Sequence, residues 1–163
     1  MPATRIELLQ SMPIFGAVSD AAVRFLIEQA RVVCVRAQEF FFHEGDQASG
    51  MFVLESGRVA IMREWQGQQL CLHRLGRGDC FGEMALMDLL PRSASVQALD
   101  DCSAIEITAE HLYELSRQDL EQFALIQMNM GREVSRRLRD ADEQLFRCQM
   151  AADRTAGQLF RST

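Results

Sequence analysis

The sequence predicts an α+β, mainly β fold: an antiparallel β-roll or jelly roll, preceded by short helices and followed by one long helix. Three observations predict it. Short apolar runs punctuated by glycine recur through the middle of the chain at the roughly 8–12-residue spacing of an all-β sandwich or barrel. The flanks lack that rhythm, and their apolar residues fall at helical spacing instead. A length of 163 residues, 48 % hydrophobic and 25 % charged, suits one domain with an attached helix and leaves no room for a multidomain enzyme.

From Ile6 to about Ala30, the residues Ile6, Leu8 and Leu9, then Val23, Phe25, Leu26 and Ile27, form short helical groups. Met12-Pro13-Ile14-Phe15-Gly16 separates them, and Ser19 or Asp20 is placed to cap the second. Between Val32 and about Ile107 the runs VVCV, FFF, MFVL, VAIM, LCLH, SASV and AIEI predict strands. Glu44-Gly45-Asp46, Ser56-Gly57, Gln66-Gly67 and Gly76-Arg77-Gly78-Asp79 supply the turns. One segment inside this zone breaks the pattern: FGEMALMDLLPRS predicts a helical turn inserted between strands.

From about Ala109 the texture is helical again, without proline. Val134, Leu138, Ala141, Leu145, Cys148, Ala152 and Leu159 follow 4-3-4-3 spacing, with Thr155 in the heptad position after Ala152, a narrow apolar seam about three heptads long before it weakens. Such a seam on a late helix suits pairing with its own copy in a parallel homodimer; the competing reading is a helix that only covers the roll. Gly131, just before the seam, is either a hinge or a close packing contact. The expected division is a domain over residues 1–147 and a helical extension or frayed tail over 148–163.

All 17 positive charges are arginine, against 23 carboxylates, for a net charge of −6. That balance argues against a surface built to coat nucleic acid, and the absence of lysine excludes Schiff-base chemistry. The five cysteines, Cys34, Cys71, Cys80, Cys102 and Cys148, are odd in number and contain no Cys-x-x-Cys, which indicates a reducing compartment and no zinc or iron–sulfur site. The opening MPATRIELLQSMPIF has no signal-peptide character and no stretch approaches the ~18 apolar residues of a membrane span. A cytoplasmic protein without a membrane partner is expected. Cys71 and His73 fall on one face of the strand LCLH as a pair of metal or haem ligands, but without a third ligand nearby no metal is expected. His43 and His111 are isolated, and no serine or cysteine sits in a nucleophile-elbow setting, so no enzymatic activity is expected.

The chemistry lies in Phe81-Gly82-Glu83-Met84-Ala85-Leu86, followed by Pro91-Arg92-Ser93-Ala94. Gly82 allows a tight turn, and the short helix that follows directs free N–H groups outward, with Met84 and Ala85 as natural donors to an anion. Nine residues after Glu83, Arg92 follows Pro91, where its planar fork can return to the same phosphate. A carboxylate beside a phosphate needs a specific gain, such as accepting from a sugar hydroxyl or pairing with Arg92. A surface helix with a Glu–Arg ion pair is the plainer alternative.

Phe81-Gly82-Glu83-x-Ala85-Leu86 followed by Pro91-Arg92-Ser93-Ala94-x-Val96-x-Ala98 resembles the phosphate-binding cassette of the cyclic nucleotide-binding domains. This is the family of the catabolite activator protein and the regulatory subunits of cyclic AMP-dependent kinase. Gly45-Asp46-x-Ala48-x-x-Met51-Phe52-Val53-Leu54-x-x-Gly57 is similar to the family's second marker, with Phe41-Phe42 standing where aliphatic residues are usual. The resemblance covers about residues 10–145. It implies that Glu83 accepts from the ribose 2′-hydroxyl and that the backbone of Gly82, Met84 and Ala85 lines the ribose-phosphate, next to Phe81. It further implies that Arg92 pairs with the exocyclic phosphate oxygens, assisted by Ser93 and the Ala94 amide, and that Leu72 is an apolar wall for the purine.

In the family the helix after the roll supplies the base contacts. After Arg136-Arg137-Leu138, this chain has Ala141-Asp142 where a Thr-Ser pair stands in the catabolite activator protein. Asp142 therefore either reads the base, adenine or guanine, or is a solvated helix-face charge. Ser93 beside Arg92 leans towards cyclic AMP (cAMP) over cyclic GMP (cGMP). The resemblance implies a cyclic nucleotide receptor that signals through its C-terminal helix to a separate effector protein, without the helix-turn-helix module of the DNA-binding regulators. The alternative is a dimeric interaction scaffold with the same fold and a degenerate, ligand-free pocket.

Overall fold

Eight strands form two four-stranded antiparallel sheets in this computed structural model, which describes residues 2–159, with side chains described over residues 5–152. The strands are β1 (Arg31–Val35), β2 (Phe40–Phe42), β3 (Gly50–Ser56), β4 (Val59–Trp65), β5 (Gln68–Leu75), β6 (Cys80–Phe81), β7 (Ser95–Ala98) and β8 (Cys102–Thr108). One sheet has the order β1-β8-β3-β6 and the other β2-β7-β4-β5, so the chain passes back and forth between layers as a jelly roll does. The expected β-roll is present. Only β6 is new relative to the sequence reading, because two residues are too few to show alternation.

Alternation explains the core. Phe52, Leu54, Phe81, Cys102 and Ala104 from one sheet meet Val59, Val96 and Ala98 from the other. The intervening residues Met51, Val53, Ile105 and Ile107 point to the opposite face of their sheet and are also buried, because α1 (Pro2–Gln10) packs on β3 and α4 (Ala109–Gln118) on β8. A strand covered on both faces has no polar side, which accounts for the unbroken run MFVL. Gly57 closes the β3–β4 turn at φ +83°, and a Cβ there would lie 2.6 Å from the Cys102 Sγ and 2.7 Å from the Asp101 carbonyl oxygen.

The helices follow their caps. The Ser19 side chain accepts from the Ala22 N–H at 3.3 Å and opens α2 (Asp20–Gln29). Isolated in the sequence, His111 completes a capping box at α4: its N–H donates to the Thr108 hydroxyl and its Nδ1 accepts from the Thr108 N–H, both at 3.2 Å. The long helix α5 (Leu120–Leu159) is helical through Gly131, so no break marks a hinge at that residue.

Two compact units are distinguished, Met1–Asn129 and Met130–Thr163. Within the first, the Asn129 Nδ2 donates to the carbonyls of Ile14 (3.1 Å) and Gly16 (2.9 Å), which anchors the start of α5 to the 3-10 turn at Pro13–Phe15. The described residues of the second unit all lie in α5. On it Arg136 and Arg147 pair with Glu133 and Glu143 one turn earlier, and Leu138, Leu145, Phe146 and Met150 are exposed. Residue 147, the expected boundary, lies inside α5.

Bulges in β2 and β5 alter which faces residues share. In β5, Cys71 pairs with Met62 and His73 with Ile61, leaving Leu72 as the extra residue. Adjacent residues Ile61 and Met62 face opposite sides of their sheet, so Cys71 and His73 do too, and the expected shared face is corrected. No helix among the described residues is long and apolar enough to cross a membrane.

Candidate functional site

The two sequence motifs meet in space. The Arg92 N–H donates to the Asp46 carbonyl (2.9 Å) and the Gly45 N–H donates to the Arg92 carbonyl (2.8 Å), so the Gly45-Asp46 turn and the residue after Pro91 form a short two-way ladder. The Asp46 side chain accepts from the His43 N–H at 2.8 Å and stiffens that turn. The Ser95 hydroxyl accepts from the Glu44 N–H at 2.8 Å.

Between them runs the inserted turn. Gly82 sits at φ +80°, after which Glu83 enters the helical region and α3 (Met84–Asp88) follows. Leu89 ends it in the left-handed region at φ 58°. Glu83 supplies its carbonyl to the Leu86 N–H (3.0 Å), while its carboxylate, on a residue only 1 % exposed, makes no cap hydrogen bond to the helix start. That leaves the amides that open α3 uncapped by Glu83, the arrangement that favours an anion at a helix start.

Arg92 is the centre of the site. It is 6 % exposed, its Nη1 donates to the Gly82 carbonyl (2.9 Å) and its Nη2 to the Gly50 carbonyl (2.7 Å). Its Nε–H is buried with no hydrogen-bond partner among the described residues. Burial pushes the guanidinium below the ordinary arginine value, and the carboxylates of Glu106, Asp46 and Glu83 oppose that shift by favouring the cation. A buried cation with one donor unpaired among the described residues is suited to donate to an anion, and a phosphate oxygen is the fitting acceptor.

The remaining expected residues are distributed as follows. Ala85 and Ala94 are buried, while Met84 and Ser93 are exposed on the same β6–α3–β7 segment. Phe81 is a core side chain, its ring stacked on Phe52 at 5.4 Å, so it supports the segment from within. Leu72 stands at the β5 bulge and is 42 % exposed, an apolar side chain presented outward. Asp142 is exposed on α5 in the second unit.

Three residues were not singled out as site residues from the sequence. Gly50 opens β3 and supplies a carbonyl to Arg92; a Cβ there would lie 2.7 Å from the Ile107 carbonyl oxygen. Phe42 lies under the guanidinium, with the Arg92 Cζ 4.0 Å from its ring centroid. Glu106, in the apolar strand β8, is buried opposite Phe52 and accepts from the Arg31 Nε. Its signal was a lone carboxylate inside the run AIEI. No group of three or more metal-ligating side chains occurs among the described residues.

Residues 32–119 match the cyclic nucleotide-binding domain family. The chain is 35 % identical over 105 residues to a cyclic AMP receptor protein from Thermus thermophilus, a match covering 64 % of this chain and 47 % of that protein. It is 33 % identical over 92 residues to a cAMP-dependent protein kinase type II regulatory subunit from Drosophila melanogaster, covering 56 % of this chain and 24 % of the relative. The chain thus spans less than half the length of either curated relative. Among solved structures, the Thermus thermophilus catabolite activator protein superposes with a TM-score of 0.72 at 30 % identity, over 82 % of this chain and 61 % of that one. With the family match spanning both motifs and the jelly roll that joins them, the chain belongs to the cyclic nucleotide-binding domain family.

Proposed function

We propose that this chain is a cyclic nucleotide receptor, with cAMP as its ligand, that signals through α5 to a separate partner protein. The observation that carries the reading is the buried Arg92 guanidinium, whose Nε–H has no hydrogen-bond acceptor among the described residues, beside the amides that open α3. A cyclic phosphate supplies what this arrangement lacks: a compact anion whose exocyclic oxygens accept from Arg92 and from the Ala85 and Ala94 amides. Glu83 accepts from the ribose 2′-hydroxyl, which separates a ribonucleotide from inorganic phosphate. The backbone of Gly82 and Met84 lines the sugar, Ser93 adds a hydroxyl, and Leu72 offers an apolar wall to the purine. Asp142 is the candidate base reader.

The exposed Leu138 and Leu145, seven residues apart on α5, support a homodimer through the seam. A regulatory domain acts by population shift, so ligand binding must favour one arrangement of α5 that the partner recognises. Calorimetric titration of the wild-type protein with cAMP and, separately, cGMP tests the reading. Saturable binding of cAMP, tighter than cGMP, is expected. Binding of neither nucleotide overturns it in favour of a dimeric interaction scaffold.

A further inference from the structure

Arg92 is held in three directions, and only two of them are hydrogen bonds. The carbonyls of Gly82 and Gly50 accept hydrogen bonds from Nη1 and Nη2 of the guanidinium, at 2.9 and 2.7 Å. The third is a face. The Cζ lies 4.0 Å from the Phe42 ring centroid and 5.8 Å from that of Phe52. A guanidinium is planar and weakly hydrated above and below its plane, so an aromatic face satisfies it there in a way that leaves its in-plane N–H donors free for oxygens.

The backbone is built to deliver that ring. Phe40 pairs with Gln97 and Phe42 with Val96, so β2 carries one extra residue, Phe41. Strict alternation would send neighbouring side chains to opposite faces; a bulge lets two neighbours face the same way. Phe41 and Phe42 accordingly both reach the inter-sheet core, Phe41 with ring centroids 5.5 Å from Phe52 and 5.0 Å from Phe81, and Phe42 5.9 and 6.1 Å from the same pair. Phe41 fills the core, and Phe42 is left to carry the arginine.

We infer that Phe42 is a positioning residue for ligand binding: its ring holds the Arg92 guanidinium flat, with the Nε–H edge directed to the phosphate of a cyclic nucleotide. The inference rests on the proposed function, since it concerns how the same arginine is prepared for its anion. An aliphatic side chain of similar size would fill the space but would not present a negative face to the cation, and only the two hydrogen bonds would then hold Arg92.

The test is calorimetric titration of cAMP into the wild type, Phe42→Leu and Phe42→Tyr, with the same Phe42→Leu change repeated in an Arg92→Lys background. Phe42→Leu is expected to weaken cAMP about tenfold and Phe42→Tyr to restore most of it. In the Arg92→Lys background the leucine change is expected to have a markedly smaller effect, because the planar group is gone. Stepwise fluorination of the Phe42 ring gives a second readout that does not depend on leucine being tolerated. Each fluorine drains the ring face with little change of shape, so a graded loss of affinity supports the inference and a flat series overturns it. Equal costs of Phe42→Leu in both backgrounds, or no cost at all, also overturn it. If the wild type binds no cyclic nucleotide, the functional reading itself fails; if it binds and the Phe42 series is flat, only the positioning role fails.

Discussion

Replacing Arg92 by leucine separates ligand binding from folding, and its effect on each can be worked from the surroundings of the side chain. In the folded protein Arg92→Leu deletes the donations to the Gly82 and Gly50 carbonyls and the contact with the Phe42 face. Leaving a buried carbonyl without a donor costs about 1–3 kcal/mol. The change also removes the cation while leaving the carboxylates that favour it, and taking one partner from a buried charged set costs about 3–5 kcal/mol, opposed only by relief of the cation's own burial. The net effect is a loss, so the melting temperature without nucleotide should fall by about 2–4 °C for each kcal/mol lost, and binding is compared at a temperature where both proteins are folded. Binding loses a separate contribution. Hydrogen bonds to a charged group contribute about 1.5–3 kcal/mol, so affinity for cAMP should fall roughly 10- to 150-fold. The assay is calorimetric titration, with thermal unfolding in the absence of nucleotide as the control. A folded Arg92→Leu variant whose affinity stays within about threefold of the wild type refutes the assignment of Arg92 to the phosphate.

Other predictions test the scaffold and the seam. Gly57→Ala forces a side chain into a positive-φ turn against Cys102 and Asp101, and should lower stability by about 2–4 kcal/mol, read as a fall in the denaturation midpoint; an unchanged midpoint would show that the turn can relax. The Asp100 carboxyl is held below its ordinary value of 3.8, chiefly by the hydrogen bond from Arg58. Its stabilisation is therefore present above that value and lost as the pH falls through the lowered one, so the difference in melting temperature between wild type and Asp100→Asn should shrink from pH 5 towards pH 2. A difference that stays constant over that range would remove the pair from the acid response. Leu138→Arg combined with Leu145→Arg should convert a dimer to a monomer in sedimentation while leaving cAMP binding to the roll measurable; a persistent dimer would place the interface elsewhere.

The legible parts of this protein were those whose signal is local. Glycine punctuation located the turns, and β1, β3 and β4 lie where VVCV, MFVL and VAIM predicted strands. Ser19 as the cap of α2 was readable because a hydroxyl acts on an amide three residues away. Gly82-Glu83 and Arg92 could be singled out because their spacing in one continuous segment constrains where they lie. The bulges were not legible. An extra residue at Leu72 leaves the composition of LCLH unchanged, yet it reverses the relation between Cys71 and His73. Gly50 was equally hidden, because it contributes a backbone carbonyl, and any residue has one.

The sequence by itself determined the fold class, the two motifs and the family, because alternation, turn chemistry and short-range spacing are properties of neighbouring residues. Only the tertiary structure decided what surrounds Arg92. Its carbonyls come from β3 and from the β6–α3 turn, its ring from β2, and its balancing carboxylates from Glu83 on that same turn and from Asp46 and Glu106 on two further segments. Those groups are scattered from residue 42 to residue 106, and their distances from one guanidinium depend on strand register and a bulge rather than on spacing along the chain. Burial is the physical reason they matter together: outside a closed core, water would screen the carboxylates and hydrate the cation.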